Sequence, residues 1–559
     1  MVEKLKGLAS GVQTFEQIIK KGSVYVDKTA FIDKMLSNDN KVWFLSRPRR
    51  FGKSLTVTTF DALFSGKKAL FKGLYIASQL KKARFAPRPV IRLDMTLPTL
   101  SEGVKVFKKS LGLETIILAK KLGVKVDPTL QPGEMLRILI MEAAEKANRP
   151  CAILIDEYDA PFVAFMERPS KERKQLRAAM RDYYSKLKAL DEYISFVFVT
   201  GITKSAHLGL LSIFNSYNDI SINPEYGAIC GFTQEELQNY FAPHIKRTAE
   251  RLKMTETELL EKTRDYYNGF SFDGVTRVYN PFSTLLFFQN QEFQQFWFET
   301  GTSTLLANFM KNNRLTVEEF SGMMVPKKFA KDPGAFKESN PVSFLYQTGY
   351  LSLRPGSTED NFTLDYPNLE VRESMDNLLV INFLGLDKAT KAYNKLQNAL
   401  VSRDAPEVIK LFNKVLAKIP YADYTAARVK TDSKSNVEEV DYGEFLYRAS
   451  LLSFIHGAGA RVFPETQGNL GRTDLVVDYK NCTWVLEIKV CQSVDKEKET
   501  LENARAQMIA QGYSEPYDHP ICLGIVINDQ LRKITLWEDF GNLEAKTKAR
   551  QNNPPTEKP

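Results

Sequence analysis

Near the N-terminus a short apolar run, KVWFL, passes through SRPRRFGKSLT into KSLTVTTFDALFSG, where Leu55, Thr59 and Leu63 share one helical face. A strand, a turn ending in Gly-Lys-Ser and then a helix make the setting in which phosphate is held at a helix start. No other feature constrains the fold as much, because the strand must be buried and the helix must open at the turn. The usual spacing is G-x-x-x-x-G-K-[ST], and here Arg47 stands in place of the first glycine. Glycine serves there for backbone freedom, whereas Pro48 restricts Arg47 to extended backbone. The expectation is a stiffer, more cationic loop, with the guanidinium groups of Arg47, Arg49 and Arg50 beside the phosphates.

Two further strands fit the same site. CAILIDEYD is an apolar run that ends in Asp156 and Glu157. In a nucleotide hydrolase the first acid orients Mg2+ together with the loop hydroxyl, here Ser54, and the second polarises the attacking water. ISFVFVTGITKS ends at Thr200, with Thr203 and Lys204 just beyond, and a polar residue at that strand tip can sense the γ-phosphate. Each piece alone has a plain reading: GKS arises by chance, and an apolar run ending in DE can be a buried strand reaching solvent. All three, in order and in context, select the nucleotide site.

At 559 residues the chain is too long for a single core. The longest apolar runs, such as FVFV, fall far short of the roughly 18–20 residues that span a bilayer. The first residues, MVEKLKGLASGVQTF, carry no apolar signal region or cleavage pattern. Cys151, Cys230, Cys482, Cys491 and Cys522 are scattered, which fits reduced thiols in a cytoplasmic protein and argues against a structural zinc site. A net charge of +9 is a mild push towards polyanions.

Five regions separate by pattern. Residues 1–235 alternate short apolar runs with helical stretches, as expected for an α/β domain with a mostly parallel sheet. Residues 236–355 are aromatic-rich and mostly helical, and for most of those aromatics core packing is the simpler reading. Residues 356–435 form a connector with a helical hairpin broken at Asp404–Pro406. Residues 436–545 read as helix, two paired strands, helix and strand, and residues 546–559 as a disordered tail.

A second constellation lies in GRTDLVVDYKNCTWVLEIKV, residues 471–490. If Lys480 and Asn481 make a two-residue hairpin loop, Tyr479 pairs with Cys482 and Asp474 falls opposite Glu487. Opposed carboxylates repel each other. Alternation puts Val485, Glu487 and Lys489 on one face and Trp484, Leu486 and Ile488 on the other. Two carboxylates and a lysine then converge, and a hard divalent cation held by Asp474 and Glu487 would turn repulsion into binding. That set suits phosphodiester hydrolysis, with Lys489 stabilising developing charge or positioning the water. The plain alternative is a solvated hairpin face. Upstream, DYGEFLYRASLLSFIHG places Glu444, Tyr447, Leu451 and Phe454 along one helical stripe. A carboxylate in such a stripe is costly unless paired or metal-bound. Downstream, ENARAQMIAQGY is a helix carrying Gln507. For His456, Glu465 and Tyr513, nearby in sequence, the structural reading is the simpler one.

YVDKTAFIDKML, FLSRPRRFGKSL, PVIRLDMT, ILIDEYDAP, TGITK, SIFNSYNDISINPEYGAICGFTQEEL and YNGFSFDGVTRVYNPFS together resemble the AAA-ATPase-like family. Its arginine-rich loop is the usual form there. That family is typically fused to a C-terminal nuclease domain, and helix Glu, strand Asp, strand E-x-K and helix Gln resemble the PD-(D/E)XK nuclease superfamily. The resemblance implies an AAA-type P-loop NTPase with a parallel sheet and a helical, winged-helix-like lid, followed by an α/β restriction-endonuclease-like domain. It implies ATP at the loop formed by Arg47, Pro48, Arg49, Arg50, Phe51, Gly52, Lys53 and Ser54, with Thr200 at the neighbouring strand tip. It places Asp156 and Ser54 on Mg2+ and gives Glu157 the hydrolytic role. At the second site it implies Mg2+, or Mn2+, on Asp474 and Glu487, Lys489 as catalytic lysine, and supporting roles for Glu444 and Gln507.

The implied activity is an ATPase coupled to a metal-dependent nuclease, with nucleic acid as partner and DNA favoured over RNA. The alternative is a nucleotide-driven regulatory or defence-type switch whose nuclease-like domain only binds nucleic acid or protein. Intact Asp474, Glu487 and Lys489 favour the enzyme. Arg181 and Arg277 both remain open as charge-stabilising fingers, and a homo-oligomer, a dimer and a monomer are all compatible with the sequence.

Overall fold

The computed structural model describes residues 5–166, 168–204, 217–297, 322–331, 341–375, 386–418, 442–467, 472–510 and 517–541. The chain divides into two compact units. One is built from Met1–Gly301 and Phe320–Val371, and the other includes Arg372–Pro559.

The first unit opens with α1 (Phe15–Lys20) and α2 (Thr29–Leu36), followed by β1 (Val42–Ser46) and α3 (Lys53–Phe64). There follow β2 (Val90–Asp94), α4 (Val104–Leu122), α5 (Pro132–Ala147) and β3 (Cys151–Asp156). Next come α6 (Ala160–Ala164), α7 (Ser170–Lys188), β4 (Ile194–Gly201) and the short β5 (Asn218–Asp219). The strands form one sheet in the order β2-β3-β4-β1-β5, parallel throughout. Every residue of β3 is buried. A continuous apolar strand of this kind is stable only where both faces of the sheet are covered. On one face Ile91, Ile153, Ile155 and Val197 share a core with Phe107 and Leu111 of α4, Leu139 of α5 and Met180 of α7. On the other, Phe60 and Phe64 of α3 pack on Phe196 and Phe198, with ring centroids 5.0–5.3 Å apart. The expected parallel α/β architecture is therefore present.

Beyond the sheet lie α8 (Gln234–Leu252), α9 (Glu256–Tyr267) and α10 (Pro281–Asn290). Reciprocal hydrogen bonds of Thr233 with Glu236 and of Thr255 with Glu258 cap the first two, and the Asn280 side chain caps the third. Tyr267, Phe287, Phe288 and Phe296 are buried in one cluster, so these aromatics are core. A three-stranded antiparallel sheet follows, β6 (Met323–Pro326), β7 (Ser352–Pro355) and β8 (Asn361–Asp365), in the order β6-β8-β7. Residue pattern reads 236–355 as mostly helical and does not single out β6 and β7, because strands of four residues leave too short a period to detect.

In the second unit the helical hairpin is α11 (Leu386–Ser402) and α12 (Ala405–Leu416), with the Asp404 side chain accepting from the Glu407 N–H at the break. After α13 (Tyr442–Gly457) come β9 (Arg461–Gln467), β10 (Arg472–Tyr479), β11 (Cys482–Cys491), α14 (Glu497–Ala510), β12 (Ile521–Asn528) and β13 (Lys533–Asp539). The sheet order is β13-β12-β11-β10-β9, with β11 and β12 parallel and the other pairs antiparallel. Leu396, Leu400 and Phe412 of the hairpin share a core with Leu451 and Phe454 of α13 and with Trp484, Leu486 and Ile488 of β11. On the opposite face Val485 and Val526 pack with Met508 of α14. No helix among the described residues is long and apolar enough to cross a membrane.

Gly269 joins α9 to the three-stranded sheet. Its φ is +96°, and a Cβ there would lie 2.0 Å from the Pro367 carbonyl oxygen, while Arg354 donates to the carbonyls of Gly269, Tyr366 and Pro367. Gly269→Ala is expected to lower unfolding free energy by about 2 kcal/mol or more. Urea unfolding checks this, and an unchanged midpoint would contradict it.

Candidate functional site

The parallel register aligns Leu45 with Thr200 and Asp94 with Asp156, which brings the C-terminal ends of the central strands to one edge. Ligands of parallel α/β sheets bind at that edge. The chain leaves β1 there and turns into α3 through Arg50 (φ +67°) and Gly52 (φ +97°), both in the left-handed region. Gly52 is the N-cap of α3, and its carbonyl accepts the Thr56 N–H.

Arg47 does not point towards the open side of the loop. It is buried, and its guanidinium donates to the carbonyls of Ser46 (2.9 Å), Ser221 (2.6 Å) and Tyr226 (3.3 Å). Its other face stacks over Phe272, 4.1 Å from the ring centroid. Burial draws its pKa down. Arg47 therefore ties the loop to residues far along the chain, a role that a glycine cannot fill. Pro48 is buried, with its carbonyl turned to Lys53. The Arg49 carbonyl accepts from Trp297 Nε1 (3.1 Å), and Arg50 is exposed with its guanidinium 4.8 Å from the Phe282 ring centroid. Phe51 is buried against Phe270 and Phe272.

Lys53 is 3% exposed. Its ammonium donates to the carbonyls of Arg47 and Pro48, each at 3.1 Å, and lies 3.1 Å from Glu157 Oε1. Asp156 is buried, accepts from Thr200 Oγ1 at 2.6 Å and is hydrogen-bonded to Ser54, while burial raises its pKa. Glu157 adopts a left-handed φ of +50°, sparsely populated for a non-glycine residue, and its carboxylate remains partly open. Lys53, Ser54, Asp156, Glu157 and Thr200 are thus brought together. A hydroxyl and a carboxylate side by side are donors that Mg2+ takes.

Asp159 was not singled out from the sequence. It is buried, accepts the backbone N–H groups of Ile202 (3.0 Å) and Thr203 (2.7 Å), and burial pushes its pKa up to about 6. The side chain fixes how β4 leaves the sheet, beside Thr200. The signal available was the last acid of IDEYD, two residues after Glu157. Lys204 is likewise buried, 3.3 Å from Asp219 Oδ2.

A cavity of about 160 Å3 opens over the N-terminal end of α3. Gly52, Lys53, Ser54 and Glu157 line its polar end, and apolar walls come from Val12, Val26, Ile229, Phe232 and Leu285. Arg181 and Arg277 are exposed and line no part of it.

In the second unit Lys480 (φ +47°) and Asn481 (φ +65°) form the two-residue loop, as a primed turn requires. The expected register runs from Tyr479 opposite Cys482 to Leu475 opposite Leu486. Tyr447, Leu451 and Phe454 of α13 are fully buried along the expected stripe. Glu487 is 0% exposed, and Lys489 Nζ lies 3.0 Å from its Oε1. A carboxylate with no exposure excludes the solvated-face alternative for this residue. Burying a carboxylate is costly unless it is paired, and Lys489 supplies a cation beside it. Gln507 is half-buried on α14, the helix covering the same face as Val485. The side chains of Glu444 and Asp474, and those of His456, Glu465 and Tyr513, lie outside the described residues. Among the described residues no three His, Cys, Asp or Glu side chains form a metal-sized cluster. Tyr447 OH donates to buried Asp529 (2.8 Å), a tie between α13 and the end of β12 that the sequence did not indicate.

Among known proteins the chain is 29% identical over 524 residues to the "uncharacterized protein in vnfD 5'region" of Azotobacter chroococcum mcd 1, covering 92% of this chain and 94% of that protein. The Aeropyrum pernix ORC1 protein in complex with DNA is 12% identical with a TM-score of 0.25, over 62% of this chain and 91% of that one. The Aeropyrum pernix ORC2 protein, in ADPNP–ADP complexes, is 11% identical with a TM-score of 0.28, over 63% and 91%. Residues 9–211 match the family described as predicted AAA-ATPase, and residues 442–537 match the PD-(D/E)XK nuclease superfamily. The chain thus carries an N-terminal domain of the predicted AAA-ATPase family and a C-terminal domain of the PD-(D/E)XK nuclease superfamily.

Proposed function

We propose that the chain is an ATP-driven, metal-dependent nuclease acting on nucleic acid, with DNA favoured over RNA. The observation that carries the reading is the pairing of two buried charged sites in one chain: Lys53 with Glu157 beside Asp156, and Glu487 with Lys489. The predicted AAA-ATPase and nuclease-superfamily domains supply the reaction classes.

At the first site the cavity would hold ATP, with its apolar walls around the base and its phosphates at Gly52, Lys53 and Ser54. Lys53 would exchange its two loop carbonyls for phosphate oxygens. Ser54 and Asp156 would hold Mg2+, and Glu157, released from Lys53, would orient and deprotonate the attacking water. Thr200, already bonded to Asp156, would sense the γ-phosphate. At the second site Asp474 and Glu487 would hold the cation, with Glu444 and Gln507 in support. When bound, that cation supplies polarisation of the scissile phosphate and an acidified water. Lys489 carries the positive charge that stabilises the anion developing at the phosphate. ATP binding or hydrolysis would gate or position the nuclease domain.

Lys53→Ala is expected to weaken ATP binding at least tenfold, which is about 1.4 kcal/mol. Glu157→Gln should keep that affinity and lose about a hundredfold in turnover. Calorimetry and phosphate release distinguish the two, and native affinity in Lys53→Ala would sink the loop assignment. With Mg2+ or Mn2+ and plasmid DNA, the parent should cleave and Asp474→Ala should lose at least about a hundredfold. If no nicking appears with or without ATP, or if the variant cuts as well as the parent, the nuclease reading fails. Arg47→Met removes the guanidinium donor from the carbonyls of Ser46, Ser221 and Tyr226, the last of which keeps the Ile229 N–H, and should cost about 3 kcal/mol of stability. Arg47→Lys should not restore it, because an ammonium lacks the planar fork. Chemical unfolding of the two variants is the check, and native stability in Arg47→Met would refute the anchoring role.

A further inference from the structure

Residues 7–13, Gly-Leu-Ala-Ser-Gly-Val-Gln, run ahead of α1 and lie outside any helix or strand. Ala9, Gly11, Val12 and Gln13 nevertheless line the cavity over α3. An irregular strap forms a cavity wall only if other elements hold it there, because ordering a chain that lacks its own hydrogen-bond ladder costs conformational entropy. Three helices supply that hold. His244 Nε2 of α8 lies 3.0 Å from the Lys6 carbonyl oxygen. Gln289 of α10 donates to the Leu8 carbonyl (2.7 Å) and accepts from the Ser10 hydroxyl (2.8 Å). Thr58 of α3 holds the other end.

Thr58 Oγ1 accepts the Phe15 N–H at 3.1 Å, and its proton faces the Gln13 carbonyl at 2.8 Å and the Leu55 carbonyl at 3.0 Å. A hydroxyl has one proton and two lone pairs, so one side chain serves both the end of the strap and the first N–H of α1. Thr14, the N-cap of α1, makes no side-chain cap, which leaves that N–H to Thr58. Phe15 is buried, and its ring packs on Tyr25 and Phe71 with centroids 5.1 and 4.9 Å away, so the anchorage is rigid. Thr58 does not line the cavity itself. It sits on the helix that starts at Lys53, about 7.5 Å further along, and its hydroxyl hydrogen-bonds to none of Gly52, Lys53 and Ser54.

Between the anchorages the strap keeps main-chain groups in reserve. The Val12 N–H turns back to the Ala9 carbonyl at 3.3 Å. The Gly11 N–H and C=O, the Val12 C=O and the Gln13 N–H have no hydrogen-bond partner among the described residues. Val24, Val26, Phe232 and Leu285 give the cavity apolar walls. A nucleoside presents apolar ring faces and a polar edge, which such walls and main-chain groups complement. A strap ordered in advance binds it at a smaller entropic cost. We propose that Thr58 is a positioning residue for the nucleoside part of the bound nucleotide, its hydroxyl fixing the strap to the helix that carries the phosphates. The inference rests on the nucleotide reading of the cavity and concerns base and ribose alone.

The test measures ATP and tripolyphosphate binding by the full chain in Mg2+, by calorimetry, in the parent, Thr58→Val and Thr58→Ser. Valine has the shape of threonine and a similar helix preference without the hydroxyl, and serine keeps the hydroxyl. Thr58→Val should bind ATP about tenfold more weakly, as expected for one or two lost hydrogen bonds. It should bind tripolyphosphate as the parent does, since the phosphate-holding turn is untouched. Thr58→Ser should return ATP affinity to within about twofold of the parent. Gln289→Ala, at an exposed position, loosens the other end of the strap and should weaken ATP alone by about threefold. Native ATP affinity in Thr58→Val would overturn the inference, as would a loss that Thr58→Ser shares or an equal loss for tripolyphosphate. Native ATP affinity in Gln289→Ala would overturn the part given to the strap. A parent that binds no ATP would instead remove the nucleotide reading on which the inference rests.

Discussion

A parallel sheet covered on both faces forces its strands to end at one edge, and the rest of the first unit follows from that constraint. Because β3 is buried along its whole length and in register with β2 and β4, Asp156 and Thr200 emerge together. Because β1 is parallel to β4, the loop after Ser46 reaches the same edge. Lys53 and Glu157 then meet at 3.1 Å without any residue being specially bent to the purpose, apart from the left-handed backbone at Arg50, Gly52 and Glu157. Burial does the rest. It raises the cost of each charge until a partner is required, and Lys53 finds its partners in two loop carbonyls and Glu157.

Much of this was legible from residue order. The strand before GKS, the helix after it and the acids closing CAILID needed only pattern and position. The β10–β11 register followed from a two-residue loop, since a turn of that length leaves no freedom in pairing. What stayed hidden depended on long-range packing. Arg47 looked like a phosphate ligand because the loop around it is cationic, yet its guanidinium satisfies carbonyls of Ser221 and Tyr226, which no local pattern connects to it. Asp159 was hidden for the same reason, its partners being backbone groups on another strand. The hairpin α11–α12 read as a connector, since its strongly apolar stripe does not say which core receives it.

The two units solve the same electrostatic problem in different ways. In the first, a buried lysine is satisfied by loop carbonyls and one carboxylate. In the second, a carboxylate with no solvent exposure faces a lysine two residues along the same strand, so the strand itself enforces their proximity. A buried ion pair is weak evidence for stability, since apolar residues of similar volume often pack at equal or lower cost. Retained buried charge in both units is the physical reason to read them as working sites.

The central claim is that nucleotide state at the first site controls phosphodiester cleavage at the second. Its most direct measurement is the cleavage rate of one duplex substrate by the full chain at fixed Mg2+, with no nucleotide, ADP, ATP and a non-hydrolysable ATP analogue. The account predicts rates that differ with nucleotide state in the parent and collapse to one value in Lys53→Ala. A single rate across all four conditions in the parent would contradict it.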